Sequence, residues 1–221
     1  MATFGNASVG GYTNNGFANQ IFVAQFAPPG PGTLTDVYAY IDNLSTGHVA
    51  CNLRGVVYGD SSGIPYTLLG TATPNAITAS QAAGWVDGNF GAGVPITGGT
   101  SYWLGFGGDA NAGGINQYYS ALTGGLENDN SSAYGSGPPN PYSGSEGTTT
   151  RILCVYATYT PTPVVTSLSV TSGAVAGGTS TVITGSGFTA ATAVHFGGAN
   201  APSYTVNNDT TITVTSPPGI G

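Results

Sequence analysis

Between residues 33 and 41, Thr33, Thr35, Val37, Ala39 and Ile41 alternate with Leu34, Asp36, Tyr38 and Tyr40. A period of two sends successive side chains to opposite faces of a pleated backbone, so this segment predicts a strand with two unlike faces. Similar short apolar runs, bounded by Gly, Pro, Asn and Asp, predict strands at 20–26, 33–42, 48–58, 66–71, 84–90, 101–106, 114–119 and 151–159. No segment carries the period of an amphipathic helix. With 37 glycines and 14 prolines as punctuation, the pattern predicts an all-β chain built as antiparallel sandwiches. Tyr, Thr and Val supply the strand preference.

Thr160-Pro161-Thr162-Pro163 interrupts this pattern. Alternating proline removes backbone donors and favours an extended, stiff segment. It divides the chain into residues 1–160, a linker at 161–163, and residues 164–221. Residues 108–150 are dominated by Gly, Asn, Ser, Pro and Tyr. So long a weakly patterned stretch inside a compact domain is commonly functional.

Composition narrows the classes of function. Hydrophobic residues make up 40%, enough for a core. Charged residues make up only 5%, lysine is absent, and Arg54 and Arg151 are the only strong cations. Nucleic-acid binding needs clustered cations against phosphates, and anionic membrane surfaces need the same. Both are excluded. No run approaches the ~20 apolar residues of a spanning helix, so no membrane insertion is expected. A net charge of -7 keeps a Thr/Ser/Asn/Gly/Tyr surface soluble. Such a surface depends little on ion pairs and offers trypsin few sites, which suits an extracellular or virion setting. The start, Met-Ala-Thr-Phe-Gly-Asn-Ala-Ser, has neither a basic nor an apolar leader region. The expectation is a leader already removed or never used.

The final segment carries a specific resemblance. It contains Ser169-Val170-Thr171-Ser172-Gly173, Gly177-Gly178-Thr179, Thr184-Gly185-Ser186-Gly187-Phe188, Val194-His195-Phe196-Gly197-Gly198 and Thr211-Ile212-Thr213-Val214-Thr215-Ser216-Pro217. In order and spacing these resemble the immunoglobulin-like IPT/TIG module. The resemblance implies a spacer or interaction unit of a surface protein, and a domain lacking its last strand. A missing strand leaves backbone groups and an apolar groove open to another chain. Three readings follow: a piece of a longer repeat protein, a shortened sandwich, or a strand supplied by a neighbouring subunit. The uncharged start, Met1 to Asn15, is a candidate donor strand. In residues 15–160, Ala83-Gly84-Trp85, the stretch from Val94 to Gly105 and the stretch from Arg151 to Tyr159 are similar to jelly-roll modules of phage structural and bacterial surface proteins. That family brings no catalytic residues.

Candidate chemistry is sparse. His48 and His195 fall in different domains, and no nucleophile motif such as G-x-S-x-G occurs. The acids other than Asp36 fall in turns, loops or strand ends, so no acid pair for glycoside hydrolysis stands out. An enzyme is not expected. Asp109, Glu127 and Asp129 are hard oxygen donors that could hold a structural calcium, against the plainer reading of a solvated acidic loop. Cys51 and Cys154 read as buried free thiols, with a disulfide open in an oxidising compartment. Tyr118, Tyr119, Tyr134, Asn140 and Tyr142 lie in or beside the long loop. Tyrosine rings beside amides suit a sugar platform or a protein contact, or else pack the loop onto its own domain. Tyr38, Tyr40, Tyr58, Tyr102, Trp103 and Tyr156 read as core or sheet-face packing.

Together these readings predict a non-catalytic structural subunit of an extracellular or virion surface assembly: a phage decoration, fibre or tail protein, or a surface filament or adhesin. It would act by β-sheet association with itself or with other virion or surface proteins, and could contact a cell-surface glycan. The alternative is a pair of carbohydrate-binding modules from a secreted polysaccharide-processing protein.

Overall fold

The structure is a computed structural model of the chain; it describes residues 1–45, 48–120, 126–131, 137–142, 148–149 and 151–219. Two compact units are present. One comprises Ala2–Pro29 and Thr33–Tyr159; the other comprises Thr160–Gly221 with Met1 and Gly30–Gly32.

The larger unit is a sandwich of two 7-stranded sheets. The first holds β1 (Ala2–Gly5), β2 (Tyr12–Asn15), β4 (Gly32–Asp42), β8 (Gly84–Ile96), β10 (Asn116–Ser120), β13 (Ile152–Leu153) and β14 (Val155–Pro161). The second holds β3 (Gln20–Phe26), β5 (Cys51–Ser61), β6 (Ile64–Thr71), β7 (Asn75–Ile77), β9 (Tyr102–Gly108), β11 (Glu127–Ser131) and β12 (Thr148–Thr149). The chain changes sheet at most of its long connections, the winding of a jelly-roll-like sandwich. Alternate residues from the two sheets meet between them. Val37, Ala39, Ile41, Val155 and Ala157 from the first sheet share one core with Phe22, Leu53, Val57, Leu104 and Phe106 from the second.

Strand β4 departs from strict alternation. Leu34 is buried with Val37, Ala39 and Ile41, while Thr35 and Asp36 are both half-buried. The period slips by one residue there, so Leu34 joins the core face rather than the Asp36/Tyr38/Tyr40 face. Adjacent non-core residues at one point of an otherwise alternating strand are what a bulge produces.

The second sheet is covered on both faces. Its outer side carries Ile21, Val23, Val56, Tyr58 and Trp103, closed over by Tyr142. Tyr142 meets Tyr58 edge to face at 5.0 Å. The Tyr142 amide donates to Tyr66 O at 2.7 Å, the Tyr58 hydroxyl to Pro139 O at 3.1 Å, and the Leu68 amide to Asn140 Oδ1 at 3.2 Å. Strand β9 is therefore buried throughout. At Gly105 a Cβ would collide with the Phe22 carbonyl, so only glycine lets β3 and β9 approach.

Residues 2–15 belong to this sandwich rather than serving as a free donor strand. β1 pairs with β14 from Ala2↔Tyr159 to Gly5↔Tyr156, and β2 pairs with β10. Phe4 is buried against Tyr159, with ring centroids 5.8 Å apart. That contact supplies the apolar burial that anchors an otherwise polar segment.

The smaller unit holds a 4-stranded sheet in the order β15 (Val164–Leu168), β16 (Ser180–Ser186), β20 (Thr211–Thr215), β19 (Ser203–Asn208). A two-stranded ribbon of β17 (His195–Phe196) and β18 (Ala199–Asn200) accompanies it. Its buried core is Ile183, Phe188, Ile212 and Val214. Asp209 ties the turn beneath Phe188: it accepts the Thr189 hydroxyl at 2.7 Å and the Gly187 amide at 3.3 Å. These hydrogen bonds, that from Thr189 first, hold its carboxyl below the usual range.

A candidate ligand-binding face

Sheet alternation decides which side chains the first sheet shows to solvent. In β4 the core takes Val37, Ala39 and Ile41, so Asp36, Tyr38 and Tyr40 turn outward. In β14 the core takes Val155, Ala157 and Tyr159, leaving Tyr156 and Thr158 outward. In β8, Val86 and Phe90 face inward, leaving Trp85, Asp87 and Asn89 outward. In β10, Gln117 pairs with the core residue Ile41, so Asn116 and Tyr118 share the outer side. The face that results is aromatic and polar, with no aliphatic side chain among these positions.

The rings form one continuous array. Tyr38 and Tyr156 stack at 4.8 Å with planes 8° apart. Trp85 meets Tyr156 at 4.8 Å and 75°. Tyr40 meets Trp85 at 5.3 Å and 77°. Tyr118 meets Tyr40 at 5.0 Å and 88°. All five are half-buried. Each ring is held by a neighbour in a favoured stacked or edge-to-face geometry, so the array is preorganised.

Carboxylates and amides border it. Asp36 accepts Asn89 Nδ2 at 2.7 Å and the Thr158 hydroxyl at 3.1 Å. Asp42 accepts the Tyr118 hydroxyl at 2.7 Å, Asn116 Nδ2 at 2.7 Å and the Leu44 amide at 3.1 Å. The bond to Asp42, with burial behind it, pushes the Tyr118 phenol up to about 12. Tyr38 is raised by burial first, then by the charges of Asp36, Tyr156 and Asp87. The surface thus sets partly exposed rings beside fixed hydrogen-bond acceptors.

The predicted site residues are dispersed. Tyr118 alone joins the array. Tyr119, the next residue, turns to the other side, stacked on Tyr12 at 5.5 Å with the Arg151 guanidinium 4.9 Å from its ring centre. Asn140 and Tyr142 close the far sheet, as described above, because an apolar strand face there required a cover. Tyr134 lies outside the described residues. The candidate calcium donors are not brought together either. Asp109 closes its own turn by accepting the Asn111 amide at 2.9 Å and ties it to β5 by accepting the Asn52 amide at 2.8 Å. Glu127 is buried and paired with Arg151 at 3.3 Å. Asp129 sits in β11 opposite Phe22. Among the described residues, no three His, Cys, Asp or Glu side chains converge as a metal site. Cys51 and Cys154 are both buried and free.

Sequence reasoning passed over Tyr38, Tyr40 and Tyr156 as sheet packing and gave Trp85 no role beyond the jelly-roll resemblance. The signal was present: Asp36, Tyr38 and Tyr40 alternate with Val37, Ala39 and Ile41. Only strand pairing brings Trp85 and Tyr156 beside them.

The smaller unit is decided by its sequence motifs together with its sheet. The IPT/TIG domain family model matches residues 163–221. Residues 163–221 are an IPT/TIG domain. The IPT/TIG domain is an immunoglobulin-like β-sandwich of a kind found in surface and extracellular proteins. No curated protein matches the chain. No helix among the described residues is long and apolar enough to cross a membrane.

Proposed function

We propose that this chain is a non-catalytic, carbohydrate-binding subunit of an extracellular or virion surface assembly. Its larger unit holds the glycan and its IPT/TIG domain serves as spacer and assembly unit. The observation that carries this reading is the array Tyr38–Tyr156–Trp85–Tyr40–Tyr118 on the outer face of the first sheet. Rings at such positions gain nothing for the core, yet they are held in fixed geometry beside ordered acceptors. That is the chemistry a sugar needs: flat apolar area for its ring and fixed polar groups for its hydroxyls. Affinity electrophoresis of the full chain through gels containing soluble polysaccharides tests it. Retardation by at least one polymer is expected, abolished by Trp85→Ala and by Tyr40→Ala. Migration unchanged in every gel refutes the reading.

A second reading, β-sheet association without a ligand, is favoured by one observation in the IPT/TIG domain. The edge strand β15 carries five exposed residues, among them Val165 at 59% and Leu168 at 39%. An exposed apolar edge is a template for another strand. Electron microscopy with light scattering on concentrated protein separates the two: regular filaments support association, and a clean monomer removes it for this chain alone.

A further inference from the structure

The electrostatics of the aromatic face carry more than its shape. This inference rests on the carbohydrate-binding reading above and names the class of glycan. The outward positions hold two carboxylates, Asp36 and Asp87, and no cation, while Asp42 is buried beneath Tyr118 and Asn116. Both arginines of the chain lie elsewhere: Arg54 is on β5 of the other sheet, and Arg151 pairs with Glu127. Tyr38 senses the charges of Asp36 and Asp87, so these carboxylates act on the rings at that end of the array.

We propose that the face selects an extended, uncharged glycan and rejects uronate-type and other acidic glycans. Two features support the uncharged choice. An acidic sugar laid along the array would meet like charge from Asp36 and Asp87 at the Tyr38 end with no cation to offset it, a direct cost to the wrong ligand. A neutral sugar meets the same carboxylates as hydroxyl acceptors. Asp36 is already oriented by Asn89 and Thr158, so little ordering is lost on binding. The array also fits a chain rather than a single sugar. Five rings from four strands make up the cluster, a wider contact than one sugar ring would cover.

Amino-sugar polymers are the competing class, since a net charge of -7 attracts any polycation. Attraction of that kind is long-range and screened by salt, whereas ring stacking is not.

The test uses the full chain in affinity gels at low and at roughly 0.5 M salt. The gels contain neutral polymers (a soluble β-glucan, xylan and galactomannan), acidic ones (alginate and polygalacturonate) and chitosan. Expected are Trp85-dependent retardation by a neutral polymer at both salt concentrations, and affinity for the acidic polymers at least tenfold weaker. Asp36→Asn with Asp87→Asn should narrow that gap at low salt, with folding checked by circular dichroism. Equal, Trp85-dependent retardation by neutral and acidic polymers overturns the selectivity while leaving carbohydrate binding intact. Retardation by chitosan alone, lost at high salt, overturns both. So does no retardation at all.

Discussion

Tyr142→Ala separates a ligand contact from a structural clamp. Tyr142 is 8% exposed and covers the outer face of the second sheet with Ile21, Val23, Val56, Tyr58 and Trp103. An aromatic side chain of this kind buries roughly 150–250 Å² and gains about 0.5–1.5 kcal/mol more from an edge-to-face partner, here Tyr58. Truncating large buried aromatics costs about 3–5 kcal/mol. The covering segment lies on the sheet surface and can partly settle into the gap, so the lower end, about 3 kcal/mol, is expected. In a unit of this size each kcal/mol moves the midpoint by about 2–4 °C, giving a fall of about 6–12 °C. Differential scanning calorimetry of the full chain measures it, with affinity electrophoresis on the same preparation. The expected result is a large drop in Tm with polysaccharide retention unchanged at a temperature where both proteins are folded. A shift below about 2 °C together with lost retention would place Tyr142 at a ligand and refute the clamp.

Asp60 should prove structural in the same way. It accepts the indole N–H of the fully buried Trp103 at 2.8 Å, so Asp60→Ala leaves that donor unpaired and should cost about 1–3 kcal/mol by urea unfolding. Tyr118 should titrate late: absorbance at alkaline pH is expected to show a tyrosine with a midpoint near 12, moving toward 10 in Asp42→Asn. Because its folded pKa is raised, the stability it contributes is complete below about pH 10 and declines as pH rises from there to about 12. In the IPT/TIG domain the sign is opposite. Asp209 is lowered from 3.8, so its contribution is complete above that pH and is lost as pH falls through its folded value. Asp209→Asn should remove that acid dependence in a pH series of thermal melts.

The sequence by itself determined the class, the punctuation and the composition of the faces. Turn residues and period-two runs marked most strands to within a few residues, because backbone conformation and burial alternate locally. The glycine and proline pattern of residues 163–221 marked the IPT/TIG domain, because each such residue answers a local turn requirement. Strands with little apolar content, such as β2 and β11, left no local trace. Their stability comes from ladder partners, Tyr12–Asn15 on Asn116–Tyr119 and Glu127–Ser131 on Gln20–Ala24. Only tertiary structure decided which tyrosines face solvent together. Tyr38, Trp85, Tyr118 and Tyr156 come from four strands distant in sequence, and their grouping depends on register. Tyr142 read equally well as a binding residue or as loop packing. The structure packs it on the apolar outer face of the second sheet, a cover that no local pattern could reveal.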